Sequence, residues 1–282
     1  MKISDNSLVY FFVIMHKIYL ALFICIVGTS FAVVGIYLCT HTEDVSKNDQ
    51  LVVPEALQSD INFVIGQYYF NHDDDPGGPY DLVMARKYFE AAIAQDPKSN
   101  LELWYQLGRI DFIEGKFDEA LKKFDIQLEY YGYELPNVFY MIGLTYGYKA
   151  RQTNNLSDWE KGEDAFTTFI DIMPVAPWSR VDLAWIYFSQ GKYEEMKPVL
   201  EVGLQHRPGN AWLLNMYGLS LLNTGYQSDA LVYLTEAKKS AANLTEADWG
   251  NSYPGNNPEA WGQGLSEFRT IIQRNIDLVK SE

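Results

Sequence analysis

Aspartates crowd one short stretch, His72-Asp-Asp-Asp-Pro-Gly-Gly-Pro-Tyr-Asp81, and hard carboxylate oxygens are the ligands calcium takes. A helix–loop–helix calcium loop also needs an oxygen side chain at its fifth place and Glu at its twelfth. Counted from Asp73, those places hold Gly77 and Met84. Asp73, Asp75 and Asp81 are therefore a weak calcium candidate, and the plainer expectation is a solvated loop with Asp81 capping the helix that follows. Other metal chemistry lacks ligands. None of His16, His41, His72 and His206 has a His partner one helical turn away, and the two cysteines, Cys25 and Cys39, lie in or beside an apolar run. No Gly-rich phosphate loop, no Gly-x-Ser-x-Gly elbow and no patterned carboxylate pair occurs. Neither enzymatic activity nor a cofactor is expected.

The chain of 282 residues carries a net charge of −15, and such a surface repels phosphate backbones, so nucleic acid is excluded as a ligand. Apolar residues make up 48% and aromatics 15%, with 20 Tyr and 7 Trp, which is more ring surface than aliphatic helix packing requires. The uncharged run Ile18–Leu38 is long enough, at about 1.5 Å per residue, to cross a hydrocarbon layer of about 30 Å. One transmembrane helix is expected there, placing the chain in a lipid bilayer through residues 18–38. A cleaved signal peptide and a lipidated Cys39 are the competing readings, but signal-peptide cores usually run about 7–15 residues and Leu38 is large for the position before a lipidated cysteine. Lys2 and Lys17 precede the span, whereas Lys47 stands alone among acids after it. That asymmetry puts the N-terminus in the cytoplasm and the rest outside it, as a single-pass membrane protein. The organisation read from the sequence is residues 1–40 with the anchor, 41–58 as a tether, 59–243 as repeats, and 244–282 as a turn-rich segment ending in a helix.

Within the repeats, bulk and vacancy alternate. Trp104, Leu107-Gly108, Gly115, Ala120 and Phe124 form one instance. Others are Gly66, Tyr69, Ala85, Phe89, Ala92 and Pro97, and then Gly143, Tyr146, Phe166 and Pro174. Leu183-Ala184, Tyr187, Gly191, Leu200 and Pro208 follow, and Gly218, Gly225, Ala230, Leu234 and Ala237 complete the series. Where two antiparallel helices cross, small residues let backbones approach while large neighbours fill the space between pairs. An ordinary all-α bundle would not repeat the pattern at 34 residues from Ala184 to Gly218. These residues resemble the tetratricopeptide repeat (TPR), and the resemblance implies an all-α fold: an α-α superhelix of about five helix pairs.

Two repeats depart from that pattern, with enlarged turns expected between Tyr69 and Ala85 and between Tyr146 and Phe166. In the third repeat Gly162 is taken as the small crossing residue, because Ser157 and Glu160 could form a capping box that starts its second helix. Pro198 should bend its helix only slightly. After Pro258 an amphipathic stretch with Leu265, Phe268, Ile271, Ile272, Ile276 and Val279 on one face is expected to cap the last repeat.

The resemblance further implies that positions 2, 5, 9 and 12 of each first helix line a concave groove. In this chain these are Asp60, Phe63, Gln67 and Phe70, then Glu102, Tyr105, Arg109 and Phe112, then Asn137, Tyr140 and Leu144. Trp178, Val181, Trp185 and Phe188 follow, with Trp212, Asn215, Leu219 and Leu222 last. The basic cluster with which some members hold a carboxylate terminus is missing. Tyr105, Arg109, Tyr140, Trp178, Trp185, Trp212 and Asn215 are the candidate binding residues, because aromatics supply large contact areas with polar edges. The function expected is a membrane-anchored adaptor or scaffold that binds an extended or helical segment of another protein, within an envelope assembly. A glycan-binding accessory subunit stacking the same rings on sugars, and a structural lattice subunit, are the alternatives.

Overall fold

The computed structural model describes residues 55–70, 80–252 and 257–281. The chain divides into two units, Met1–Gln58 and Ser59–Glu282, and all the described helices belong to the second apart from the first four residues of α1. The expected span Ile18–Leu38, the tether up to residue 54, and Asp73 and Asp75 in the first enlarged turn lie outside the described residues. Among the described residues no helix is long and apolar enough to cross a membrane.

The described part is an all-α solenoid. Its helices are α1 (Glu55–Phe70), α2 (Leu82–Gln95), α3 (Leu103–Ile113), α4 (Phe117–Tyr131), α5 (Asn137–Thr153), α6 (Leu156–Ile172), α7 (Pro177–Ser189), α8 (Tyr193–His206), α9 (Ala211–Asn223) and α10 (Gln227–Ala242). A short α11 (Glu246–Gly250), one turn of 3-10 helix (Pro258–Ala260) and α12 (Trp261–Ser281) come after them. The first ten helices form five antiparallel pairs. No strand occurs among the described residues.

One contact recurs in the pairs and accounts for the alternation of bulk and vacancy. Gly66 faces the Phe89 ring, Gly108 the Phe124 ring, Gly143 the Phe166 ring and Gly218 the Leu234 side chain. At each glycine an added Cβ would fall closer than 3.0 Å to that side chain. The four partners are completely buried. In the fourth pair Ala184 and Leu200, both fully buried, occupy the corresponding positions. Successive pairs join through three buried clusters, one around Phe63, Phe89 and Leu107, one around Phe124, Met141 and Phe166, and one around Leu200, Leu213 and Leu234. Salt bridges add a polar tie where α2 meets α3: Arg86 Nη2 reaches Asp111 at 2.7 Å and Glu114 at 2.9 Å.

Several local expectations need correction. The third repeat has no enlarged turn. Its added residues lengthen the helices instead: α5 and α6 each have 17 residues, against 11 in α3 and 15 in α4. The link is only Asn154 and Asn155, with Asn154 in the left-handed region at φ 53. Nor does a capping box of Ser157 and Glu160 start α6, because Asn155 is the N-cap and its side chain accepts from the Ser157 N–H at 3.0 Å. Gly162 is nevertheless the crossing residue: an added Cβ would lie 3.3 Å from the Gly143 carbonyl oxygen and 2.8 Å from Ile186. Asp81 caps α2, accepting from the N–H groups of Val83 and Met84 at 3.0 Å each. Pro198 lies inside α8 without ending it.

The chain ends by sealing the stack. Leu265, Phe268, Ile272, Ile276 and Val279 of α12 are buried in one cluster with α9 and α10, while Ile271, expected on the same face, is 38% exposed. Arg269 donates to the carbonyls of Ala241 (2.9 Å) and Leu244 (2.8 Å), satisfying acceptors at the C-terminal end of α10. α11 seats its Trp249 close to Gly264, and Trp261 close to Gly250, so α11 and α12 interlock through two glycine and indole contacts.

Candidate functional site

The first helices of four consecutive pairs, α3, α5, α7 and α9, converge on one groove of about 690 Å³. α3 contributes Tyr105, Arg109 and Phe112, α5 contributes Asn137, Tyr140, Leu144 and Tyr148, and α7 contributes Trp178, Val181 and Asp182. Asn210 and Trp212 come from α9 and its cap, and Asn251 and Ser252 from the segment after α11. The helical repeat explains this convergence, because side chains three or four residues apart share a face. Tyr105 and Arg109, Tyr140 and Leu144, and Trp178 and Asp182 are spaced that way.

Five of the seven candidate residues meet there: Tyr105, Arg109, Tyr140, Trp178 and Trp212. They do not form an open aromatic floor. Tyr105 and Tyr140 are each only 8% exposed, wedged against Phe124 and Phe166 respectively, so their rings serve mainly as packing. Trp212 is stacked at 5.3 Å on Phe268 and at 6.2 Å on Trp249, which ties it to the terminal helices. Trp178 differs, with 47% of its surface open.

Trp185 and Asn215 stand outside the groove lining. Trp185 sits over Gly147 and packs on Tyr148 at 5.2 Å and on Trp159 at 5.8 Å, filling the corner that the lengthened α5 and α6 create. Asn215 is buried, and its side-chain oxygen accepts from Asn275 of α12 at 2.9 Å. Sequence position alone assigned both to the inner wall. The lengthened helices of the third pair and the terminal helix, neither part of the repeat pattern, claimed them instead.

The groove carries charge of both signs. Arg109 is held by its neighbours: its guanidinium lies 4.6 Å from the centre of the Phe70 ring, and Nη1 donates to Gln106 at 2.9 Å. Its Nε is buried with no hydrogen-bond partner, so part of the cation's donor capacity is unused. Asp182, which sequence reasoning missed, is half-buried and accepts from the Tyr140 hydroxyl at 2.7 Å. Desolvation pushes its carboxyl up to about 7, against the opposing effect of that hydrogen bond. Burial also raises the Tyr148 hydroxyl, and the Asp182 charge adds to the rise. The available signal for Asp182 was its spacing of four residues from Trp178, which places both on one helix face. Among the described residues no group of three or more His, Cys, Asp or Glu stands together as a metal site.

No family model and no curated protein matches the chain. Solved structures do. A crystal structure titled MamA protein superimposes with a TM-score of 0.52 at 18% identity, covering 67% of this chain and 97% of that one. A further MamA structure, labelled AMB-1, gives 0.51 at 14% identity over 67% and 94%. A thermophilic TPR protein of Thermus thermophilus gives 0.51 at 16% identity over 67% and 94%. At these identities the likeness is one of fold, and the chain has the all-α solenoid architecture of TPR proteins.

Proposed function

We propose that this chain is a non-enzymatic adaptor that holds an extended or helical segment of another protein in the groove between α3 and α9. Residues 18–38 would anchor it in a bilayer, with the repeats on the extracytoplasmic side as part of an envelope assembly. One observation carries the reading. Side chains from four repeats converge on a single recess that offers an open indole, Trp178, and polar groups of both signs, Arg109 and Asp182. Recesses of that composition orient a ligand by a few polar groups and hold it by apolar contact. Trp178 supplies ring area at low entropic cost, and the charges of Arg109 and Asp182 set the polarity along the groove.

Site-specific photo-cross-linking in native membranes tests this. A photoreactive phenylalanine analogue in place of Trp178 should give one protein adduct that is lost when Arg109 is changed to Ala. The same analogue in place of Val232, exposed on the second helix of the last pair, should give none. Equal yields from the two positions, or no adduct from the first, would reject the groove as the working surface.

A further inference from the structure

Among the described residues the groove's carboxylate, Asp182, has no countercharge. Asp182 accepts one hydrogen bond, from Tyr140 Oη, and among the described residues no Lys or Arg forms a salt bridge with it. Two other sheltered carboxylates of the solenoid are matched, whereas Asp158, buried in α6 with one oxygen unpaired, lies away from the groove. Asp111 is paired with Arg86 at 2.7 Å and Lys123 at 3.4 Å, and Glu163 is paired with Lys192 at 3.2 Å. Removing a carboxylate from water without a cation is costly, and the cost is recovered when a cation arrives.

The surroundings suit a cation in a second way. Tyr148 and Trp178 line the same recess with 37% and 47% of their surface open, while Tyr140 and Trp212 are taken up by packing. Ring faces carry negative potential and attract ammonium and guanidinium groups within about 6 Å of the ring centre. The groove's own cation does not answer this demand. Arg109 is engaged with Phe70, Tyr105 and Gln106 on the α3 side. From α5 the charged or titratable groups near Asp182 are Tyr140 and Tyr148, with Arg151 acting on Tyr148. Asn210, Asn251 and Ser252, which close the recess from α9 and α11, are neutral. The net charge of −15 favours approach of a basic partner over any acidic one.

We propose that the segment bound in the groove presents a Lys or Arg side chain, which the rings at the α5–α7 end receive and whose charge pairs with the Asp182 carboxylate. This rests on the groove being a peptide-binding surface and adds the chemistry of its ligand. The ligand is then a basic segment with apolar flanks.

Selection of random twelve-residue peptides on the full chain in detergent tests the assignment. The selected peptides should carry a Lys or Arg that cannot be changed to Gln, and Asp182→Asn should weaken them about tenfold or more, the scale of one charge-assisted bond. The substitution keeps shape and an acceptor for Tyr140, and helical circular dichroism checks its folding. Asp182→Lys should in turn bind the same peptides once their basic residue is replaced by Glu. Peptides that need Trp178 but bind Asp182→Asn unchanged, or that lack a basic residue, would overturn the cation subsite and leave the groove reading intact. Peptides indifferent to Trp178→Ala and Asp182→Asn alike, or no selected peptide at all, would overturn both.

Discussion

Replacing Gly108 by Ala tests the close glycine contact that four of the five helix pairs share. The new methyl would meet Cδ1 and Cζ of Phe124 at 2.8 Å and lie nearer still to Cε1. Phe124 has no room to retreat, being completely buried with the Tyr105 ring centre 6.3 Å away. Overpacking of this kind costs about 1–3 kcal/mol. Ala is the better helix former by about 1 kcal/mol, which offsets part of that. A net loss of about 1 kcal/mol is expected, opposite in sign to what propensity alone would give.

The double variant isolates the cause. Phe124→Leu removes the ring atoms that the methyl would strike, so Gly108→Ala should cost less in that background, with a favourable coupling of about 1 kcal/mol. Urea unfolding of the four proteins, followed by far-ultraviolet circular dichroism, gives the comparison. Midpoint shifts suffice, because stacked repeats need not unfold in one step. A Gly108→Ala midpoint at or above that of the parent, or strictly additive effects, would refute the argument that close approach of the ring is what requires glycine here.

Three further outcomes are expected from the same structure. Trp185→Ala should cost about 3–5 kcal/mol, since it empties the corner between Tyr148 and Trp159, whereas Trp178→Ala should fall within about 0.5 kcal/mol of the parent in stability; equal effects in thermal melts would contradict the division between packing and groove rings. Because the Asp182 carboxyl is raised from 3.8 to about 7 on folding, the folded state holds the proton more tightly. Its contribution to stability is therefore complete below pH 3.8 and is lost as pH rises to about 7; melts of Asp182→Asn should show a smaller decline across that window, and an identical decline would refute the assignment. Arg269→Ala should lower the melting temperature by removing its donation to the Ala241 and Leu244 carbonyls, at about 1 kcal/mol, while Arg269→Lys should recover only part, because one ammonium cannot reproduce the fork.

The helix pairs were legible because their determinant is local in sequence. Gly108 and Phe124 are sixteen positions apart, as are Gly218 and Leu234, and that spacing places a vacancy opposite a bulk at each crossing. The third pair obeys the same rule at Gly143 and Phe166, now twenty-three apart. Seven more residues amount to nearly two whole helical turns at about 3.6 residues per turn, so lengthening the two helices between them leaves the contacting faces almost unrotated. Nothing in the sequence distinguishes such an extension from a longer loop until a tight turn is built, and Asn154 in the left-handed region makes that turn. The extension then alters the site. It carries Tyr148 and Trp159 outward to hold Trp185, which would otherwise have continued the inner wall. Trp178, one turn nearer the start of α7 than Asp182, is left open beside the carboxylate. The repeat therefore dictates where the groove runs, and the departures from the repeat decide which of its side chains remain available to a ligand.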